Sequence, residues 1–323
     1  MISKNLNETV DPKKQLSIYG YKDYLDFFIK IYQKNKLPNV ILLNGPKGIG
    51  KATFAYHFIN YLFSSNELNT YSIDKCEINP ENKSYRLLNN GIHPNFFLLE
   101  NSSSSENIKI ETVRNLLLFL NKTSYLKNIK IVLIDNAEYL NISSSNALLK
   151  ALEEPSQNTY YFITYSSSAK ILETIKSRTI QFNFFLNSLK KKEIFDKLLN
   201  QYSLNCDINI IEDKLYFDTP GNLIKNLLLL NDENIDFSSN DLTVISYLIN
   251  KYNNKKNSEL LNTLSKYIEH FFNKLSLEGS DNINRFFFKK NKIISEINQM
   301  KKFNLDRKNI LNFLPAELKN EIK

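Results

Sequence analysis

The chain has 323 residues, 42% of them hydrophobic, with 42 Lys and Arg against 34 Asp and Glu. That length allows two or three domains with sizeable cores, and the net charge of +8 is compatible with work on nucleic acid without requiring it. Two cysteines, Cys76 and Cys206, exclude a disulfide framework and a four-cysteine zinc site within the chain. The start, MISKNLNETVDPKKQ, lacks the apolar centre of a signal peptide, and no apolar run approaches the ~18 residues of a membrane span, so a cytoplasmic protein is expected.

Residues 1–15 are polar and expected to fray. Leu16–Asn35 carries Tyr21, Leu25, Phe28, Ile29 and Tyr32 at helical spacing, and Pro38-Asn39 break it before a buried strand, Val40–Leu43. The stretch Val40–Thr53, VILLNGPKGIGKAT, then reads as strand, glycine-rich turn and first helical turn. Gly45, Gly50 and Lys51 fit the P-loop spacing G-x-x-x-x-G-K, and the loop takes three of the chain's seven glycines. Such a loop wraps closely around phosphates with its N–H groups inward, helped by the positive end of the following helix. The candidate nucleotide contacts are Gly45, Pro46, Lys47, Gly48, Ile49, Gly50, Lys51, Ala52 and Thr53, with Lys51 reaching the β- and γ-phosphates. The motif wants Ser or Thr after the lysine to hold magnesium. Ala52 stands there, and Thr53 points about 100° further round the helix. ATP and magnesium are therefore candidate ligands of a loop able to hold a nucleotide but poorly equipped to use one. The competing reading is a relic that packs and binds nothing.

A helix from Lys51 to Phe63 leads into a polar excursion, residues 64–92, in which Cys76 lies alone. His93-Pro-Asn, with His93 read as structural, precedes a strand, Phe96–Leu99; Asn101–Glu106 is a Ser/Asn loop and Ile110–Asn121 an amphipathic helix. Lys130–Asp135, KIVLID, is a buried strand ending at an acid, the Walker B pattern, whose Asp135 would support the magnesium ion. Ser143–Ser145 can cap a helix at Asn146–Glu153, which Pro155 stops. Glu153 and Glu154 close that helix where its dipole disfavours acids, which suggests an interaction role. Thr159–Thr164 is a buried strand whose Thr164 is either a γ-phosphate sensor or an ordinary strand threonine. A short helix, Ile171–Lys176, then Arg178, precede the last buried strand, Ile180–Phe184. Alternating strands and helices predict a parallel sheet with helices on both faces.

Beyond Leu186 only helices are evident: Ser188–Gln201, one opening at Thr219-Pro-Gly and running through Leu230, Leu242–Lys251, Ser258–Leu275, Ile283–Phe303 and Arg307–Phe313, with a polar linker at Asn231–Asn240. The expected domains are an α/β P-loop domain over residues 1–186, a small helical domain over 187–236 and an all-α bundle over 237–323. The lysine clusters at 190–192, 289–292 and 301–302 are solvated faces or direct DNA contacts, and Phe286–Phe288 cannot all face one core.

Asn146-Ala-Leu-Leu-Lys-Ala-Leu-Glu-Glu-Pro155 resembles the signature of bacterial clamp-loader subunits, the AAA+ proteins of DNA polymerase III. Other landmarks follow in the family's order: Gly20-Tyr21 resembles its Gly-His, His93-Pro-Asn its His-Pro-Asp, Val113-Arg114 its Val-Arg, IVLIDNAEYLN its Walker B segment, and Ser177-Arg178-Thr179 its Ser-Arg-Cys. The resemblance covers roughly residues 16–185 and implies an AAA+ module, a helical lid and a collar bundle. Its details are closer to the delta-prime branch than to the hydrolysing motor. The motor's Walker B ends Asp-Glu, whereas Asn136 follows Asp135 here, and an amide cannot polarise the attacking water as a carboxylate does. Where a motor carries a second sensor arginine, this chain has Asn222, Leu223, Ile224 and Lys225; of the motor's four zinc cysteines only Cys76 falls in the interval, so no zinc is expected. By resemblance, Arg178 is a finger acting on a neighbouring subunit's ATP, and the implied partners are the motor (gamma/tau) and delta subunits, with sliding clamp and primed DNA met through the complex. The alternatives are a hydrolysing motor subunit, or a separate P-loop ATPase such as a helicase loader.

Overall fold

Successive side chains of a strand point to opposite faces, so an unbroken apolar strand needs cover on both sides. The computed structural model describes residues 10–101, 107–122, 129–204, 214–215, 217–231, 240–256, 258–278, 283–303, 305 and 308–321, and it meets that need. Five strands, β1 (Val40–Gly45), β2 (Phe96–Leu99), β3 (Lys130–Ile134), β4 (Thr159–Ser166) and β5 (Ile180–Asn183), form one parallel sheet in the order β2-β3-β4-β1-β5. On one face Ile41, Leu43, Ile131, Leu133 and Phe162 pack with α1 (Lys22–Gln33) and α2 (Lys51–Ser64). On the other, Val40, Leu42, Val132, Ile134, Tyr161 and Ile163 form a second core. Beyond the short α3 (Lys83–Asn89), α4 (Ile110–Asn121) and α5 (Ile142–Glu153) cover that face with Val113, Leu116, Leu148 and Leu152. The remaining elements are α6 (Glu173–Lys176), α7 (Ser188–Tyr202), α8 (Pro220–Asn231), α9 (Asp241–Lys255), α10 (Ser258–Glu278), α11 (Ile283–Phe303) and α12 (Lys308–Lys319).

The chain divides into two compact units, Met1–Leu198 with Thr219–Asn222, and Leu199–Asp218 with Leu223–Lys323. In the second unit the described elements are helical, and α10 packs against α9 and α11 while α12 packs against α9. Leu248, Leu264, Ile268, Phe272, Ile297 and Leu318 are buried within it. The Phe286–Phe288 run divides as its spacing requires: Phe286 is buried, whereas Phe287 and Phe288 are exposed. No helix among the described residues is long and apolar enough to cross a membrane.

Local differences from the sequence reading have local causes. The helix after Walker B starts at Ile142 and not Asn146, because Asn141, whose side chain accepts from the Ser144 N–H at 2.8 Å, is its N-cap in place of Ser143–Ser145. β5 is not buried: it pairs with β1 alone and its side chains are largely exposed, as an edge strand's are. The first helix begins at Lys22 rather than Leu16, since a 3-10 turn at Pro12–Lys14 and extended chain precede it. The last helix continues through Pro315 to Lys319. In the polar excursion, Ser72 and Glu77 exchange two backbone hydrogen bonds, Asn82 caps α3, and Cys76 is buried at the turn with φ +54°. Cys206 and most of the Asn101–Glu106 loop and the Asn231–Asn240 linker lie outside the described residues.

Phe28 is wholly buried among Phe54, Phe58 and Phe182, with ring centroids 4.7 to 5.4 Å apart, while its neighbour Phe27 is 48% exposed. Phe28→Ala should lower the unfolding free energy by about 3–5 kcal/mol and Phe27→Ala by about 1 kcal/mol or less in urea titrations. Equal losses would mean that α1 does not seat Phe28 in this core.

Candidate functional site

Parallel strands bring their C-terminal ends to one edge of the sheet, and there the P-loop, Thr164 and Asp135 meet. β4 lies between β1 and β3, with Leu43 opposite Thr164 and Ile134 opposite Ile163. Walker B is thus one strand removed from the loop, and Thr164 fills the gap. Its hydroxyl donates to Asp135 Oδ1 at 2.6 Å and accepts from the Asn136 N–H at 2.8 Å. The Asn136 side-chain amide donates to Asp135 Oδ2 at 3.0 Å. Both carboxylate oxygens are therefore engaged inside the chain. Burial pushes the Asp135 carboxyl up, against the opposing pull of the Thr164 hydrogen bond, Lys51 and Lys47.

The loop has the backbone of a phosphate cradle. Gly48 (φ +76°) and Gly50 (φ +106°) take conformations that L side chains rarely adopt, and Gly50 opens α2. The first N–H groups of α2 have no partner within the helix, as at every helix start. The loop's carbonyls are all taken. Lys51 Nζ donates to Gly45 O at 2.7 Å and Pro46 O at 2.8 Å. Thr219 Oγ1 and Asn222 Nδ2 donate to Lys47 O at 2.8 and 2.9 Å, the Gly221 N–H to Gly48 O at 3.2 Å, and Tyr21 OH to Ile49 O at 2.8 Å. The fit is tight: a Cβ on Gly48 would lie 2.5 Å from Asn222 Oδ1, and one on Gly221 2.5 Å from Gly48 O. The Ile49 N–H donates to Pro46 O at 3.4 Å, Lys47 lays its ammonium 6.0 Å from the centroid of the Tyr139 ring, and Ala52 and Thr53 sit in the first turn of α2.

The glycine-rich backbone suits a phosphate group, while the side chains offer a magnesium ion fewer ligands than the P-loop pattern does. Ala52 offers no side-chain oxygen, and each oxygen of Asp135 already accepts one hydrogen bond from its own chain. Lys51, 7% exposed, is folded onto its own loop, so a phosphate would draw its ammonium from two carbonyls.

Arg178 stands elsewhere. It follows α6 and precedes β5, whose Ile180 lies opposite Ile41 near the start of β1. Gly45 lies four residue steps along β1 from Ile41, about 13 Å. Arg178 therefore occupies the opposite end of the sheet from the P-loop. Its Nε donates to Glu153 Oε1 at 2.7 Å, Nη2 donates to the same oxygen, and Nη1 donates to Thr174 O at 2.6 Å and Ser177 Oγ at 3.3 Å.

His93 is structural. It stacks on Phe63 at 4.0 Å between centroids, its Nδ1 accepts from the Asn95 N–H, and burial lowers it to about 4. His57, wholly buried between Tyr71 OH and Gln15 O, is lowered by burial to about 3 and so stays neutral. Sequence reasoning missed the loop's outer partners. Tyr21 was legible as a core residue, but its hydroxyl bond to Ile49 has no local signal. Thr219 and Asn222 are some 170 residues from Lys47 in sequence.

Burial is the main cause holding the Lys51 amine down at about 8, against Glu138 and Asp135, which raise it. The unfolded chain keeps that proton to about pH 10.4, so it binds more protons between the two values, and stability rises with pH there. Wild type minus Lys51→Met, measured by urea unfolding, should be flat below about pH 7 and grow by about 2 kcal/mol between about pH 8 and about pH 10. A difference independent of pH would show that Lys51 is not buried as a cation.

The family described as "DNA polymerase III, delta subunit" matches residues 20–187. The delta-prime subunit of Pseudomonas aeruginosa is 37% identical over 140 residues, 43% of this chain and 41% of that one. The delta-prime subunit of Escherichia coli K12 is 26% identical over 147 residues, 46% of this chain and 42% of that one. The chain thus spans less than half the length of these two relatives. The DNA polymerase III gamma subunit of Buchnera aphidicola from Schizaphis graminum is 26% identical over 303 residues, covering 93% of this chain and 75% of its own. Among solved structures, a gamma subunit-related protein of Thermotoga maritima is 19% identical, with a TM-score of 0.41 over 93% of this chain and 99% of that one. With more than half its residues matched by the family and delta-prime subunits among its relatives, this chain belongs to the DNA polymerase III delta-prime subunit family.

Proposed function

We propose that this chain is a stationary subunit of a clamp loader, one that completes the ATP site of a neighbour with Arg178 and turns over little or no ATP itself. Its partners would be the motor and delta subunits, and the assembly would use ATP to place a sliding clamp on primed DNA. The α/β domain (residues 1–186) and a helical lid (187–236) would form one AAA+ module, with residues 237–323 as the collar. The observation that carries this reading is the position of Arg178. At the end of the sheet remote from its own P-loop, it cannot serve that loop, so a phosphate it contacts belongs to another chain. An arginine supplied in trans to a transferring phosphoryl group is worth several orders of magnitude in rate.

The state of the chain's own loop supports the second half of the proposal. Asn136 stands where a carboxylate would act as general base, and its amide instead ties down Asp135. Asn222 donates to the loop backbone in place of a cation aimed at phosphate. The gamma relative matched along most of the chain would suit a hydrolysing motor, but a motor needs the carboxylate and the metal ligand that Asn136 and Ala52 replace.

The isolated chain should show ATP turnover at background. Robust magnesium-dependent turnover would overturn the reading. In a loader reconstituted with motor and delta subunits, Arg178→Ala should lower DNA-stimulated ATPase by about 10²-fold or more while the subunits still co-elute. Unchanged turnover would mean that Arg178 serves no neighbour.

A further inference from the structure

Glu153 is the last residue of α5, where the partial negative charge of the helix end works against a carboxylate. The acid there has a specific partner. Glu153 Oε1 accepts from both Nε and Nη2 of Arg178. A guanidinium has five N–H donors. Two are held by Glu153, and two more, on Nη1, by the Thr174 carbonyl and the Ser177 hydroxyl. One N–H, on Nη2, lies beyond these bonds. The Thr174 carbonyl is itself a fixed point, since α6 and the turn after it are closed by backbone bonds from Ser177 to Glu173 and from Arg178 to Ile175. Arg178 is thus clamped on two sides, by a helix-end carboxylate and a helix-end carbonyl, with its side chain 28% exposed and that of Glu153 46% exposed.

We propose that Glu153 is a positioning residue for Arg178, holding the guanidinium in one pose so that the neighbour's phosphate meets a cation already in place. This rests on the reading of Arg178 as a residue acting in trans. A free arginine side chain loses its rotamer freedom when it seats on a phosphate, whereas a clamped one has lost that freedom on folding. The carboxylate offsets part of the cation's charge, but at this exposure water screens the pair. Positioning therefore outweighs neutralisation, and the clamp acts on the rate. The Leu-Glu-Glu-Pro end of the α5 segment then has a physical role: its first glutamate serves an arginine 25 residues downstream.

The test uses the reconstituted loader with Glu153→Ala, Glu153→Gln, Glu153→Asp, Arg178→Ala and the double variant Glu153→Ala/Arg178→Ala, reading kcat and KM for ATP in the presence of primed DNA. Glu153→Ala should lower kcat about tenfold with KM within about twofold, and Glu153→Asp should recover part of that loss. In the Arg178→Ala background, Glu153→Ala should change nothing further, because the two act as one unit. Losses that multiply in the double variant, or a kcat unchanged or raised by Glu153→Ala while Arg178→Ala is impaired, would overturn the positioning role and leave the finger standing. Full activity in Arg178→Ala would remove the finger and this role together. If Glu153→Ala fails to assemble, Glu153→Gln, which keeps the volume and one acceptor oxygen, carries the same comparison, with an intermediate kcat expected and a wild-type kcat overturning the proposal.

Discussion

Five consecutive carbonyl oxygens, from Gly45 to Ile49, need donors, and much of the first unit is arranged to supply them. A P-loop turns its N–H groups inward, which leaves its carbonyls facing the surrounding protein, where each must find a partner or carry a desolvation cost. Besides the Ser167 and Ile49 N–H groups, which reach Gly45 O and Pro46 O, the donors come from three places: the residue that opens α1, the loop's own lysine, and the start of α8. The bonds from the start of α8 explain why Thr219–Asn222 belong to the same compact unit as the loop although the chain leaves that unit between Leu198 and Thr219. They also explain Gly221, where a side chain would collide with Gly48 O. A loop tied at every carbonyl is a rigid element of the fold, and its lysine is partly committed to that task.

The second constraint is the polarity of a parallel sheet. Everything at the C-terminal ends of the strands gathers at one edge: the loop, Thr164, Asp135 and Asn136. Residues that precede strands gather at the other, and Glu153 and Arg178 are among them. The two ends of the domain therefore carry separate sets of polar residues that do not meet within the chain. At the first, the polar groups satisfy one another: Asp135 with Thr164 and Asn136, Lys51 with the loop. At the second, a cation is fixed by its own chain with donor capacity to spare. The residues at one end can change without disturbing the Glu153–Arg178 pair at the other, because the two are separated by the length of a strand.

Much of this was legible in the residues. KIVLID and VILLNG announce themselves by unbroken apolar character, and the glycine spacing at 45–50 announces the loop. β2, α4 and α11 have the ends that periodicity gives them. The errors fell where local chemistry has equivalent choices. Asn141 and Ser143–Ser145 are all competent caps, and only the path of the chain selects Asn141. Ile180–Asn183 has the composition of a covered strand, but its place at the sheet edge leaves it exposed. Glu153 could be seen to sit badly for its helix, which pointed to a partner without naming it.

The sequence by itself determined the strands, the layering of helices on both faces, the P-loop and the absence of a hydroxyl at Ala52 and a carboxylate at Asn136, because these depend on residue identity and on periodicities of 2 and 3.6. Tertiary structure alone decided the partners: Tyr21 with Ile49, Thr219 and Asn222 with Lys47, Thr164 with Asp135, Glu153 with Arg178. Each pair is separated by 25 to some 175 residues in sequence, and each bond needs a donor and an acceptor within about 3 Å. No local pattern records which of many polar residues the folded chain will bring to that distance.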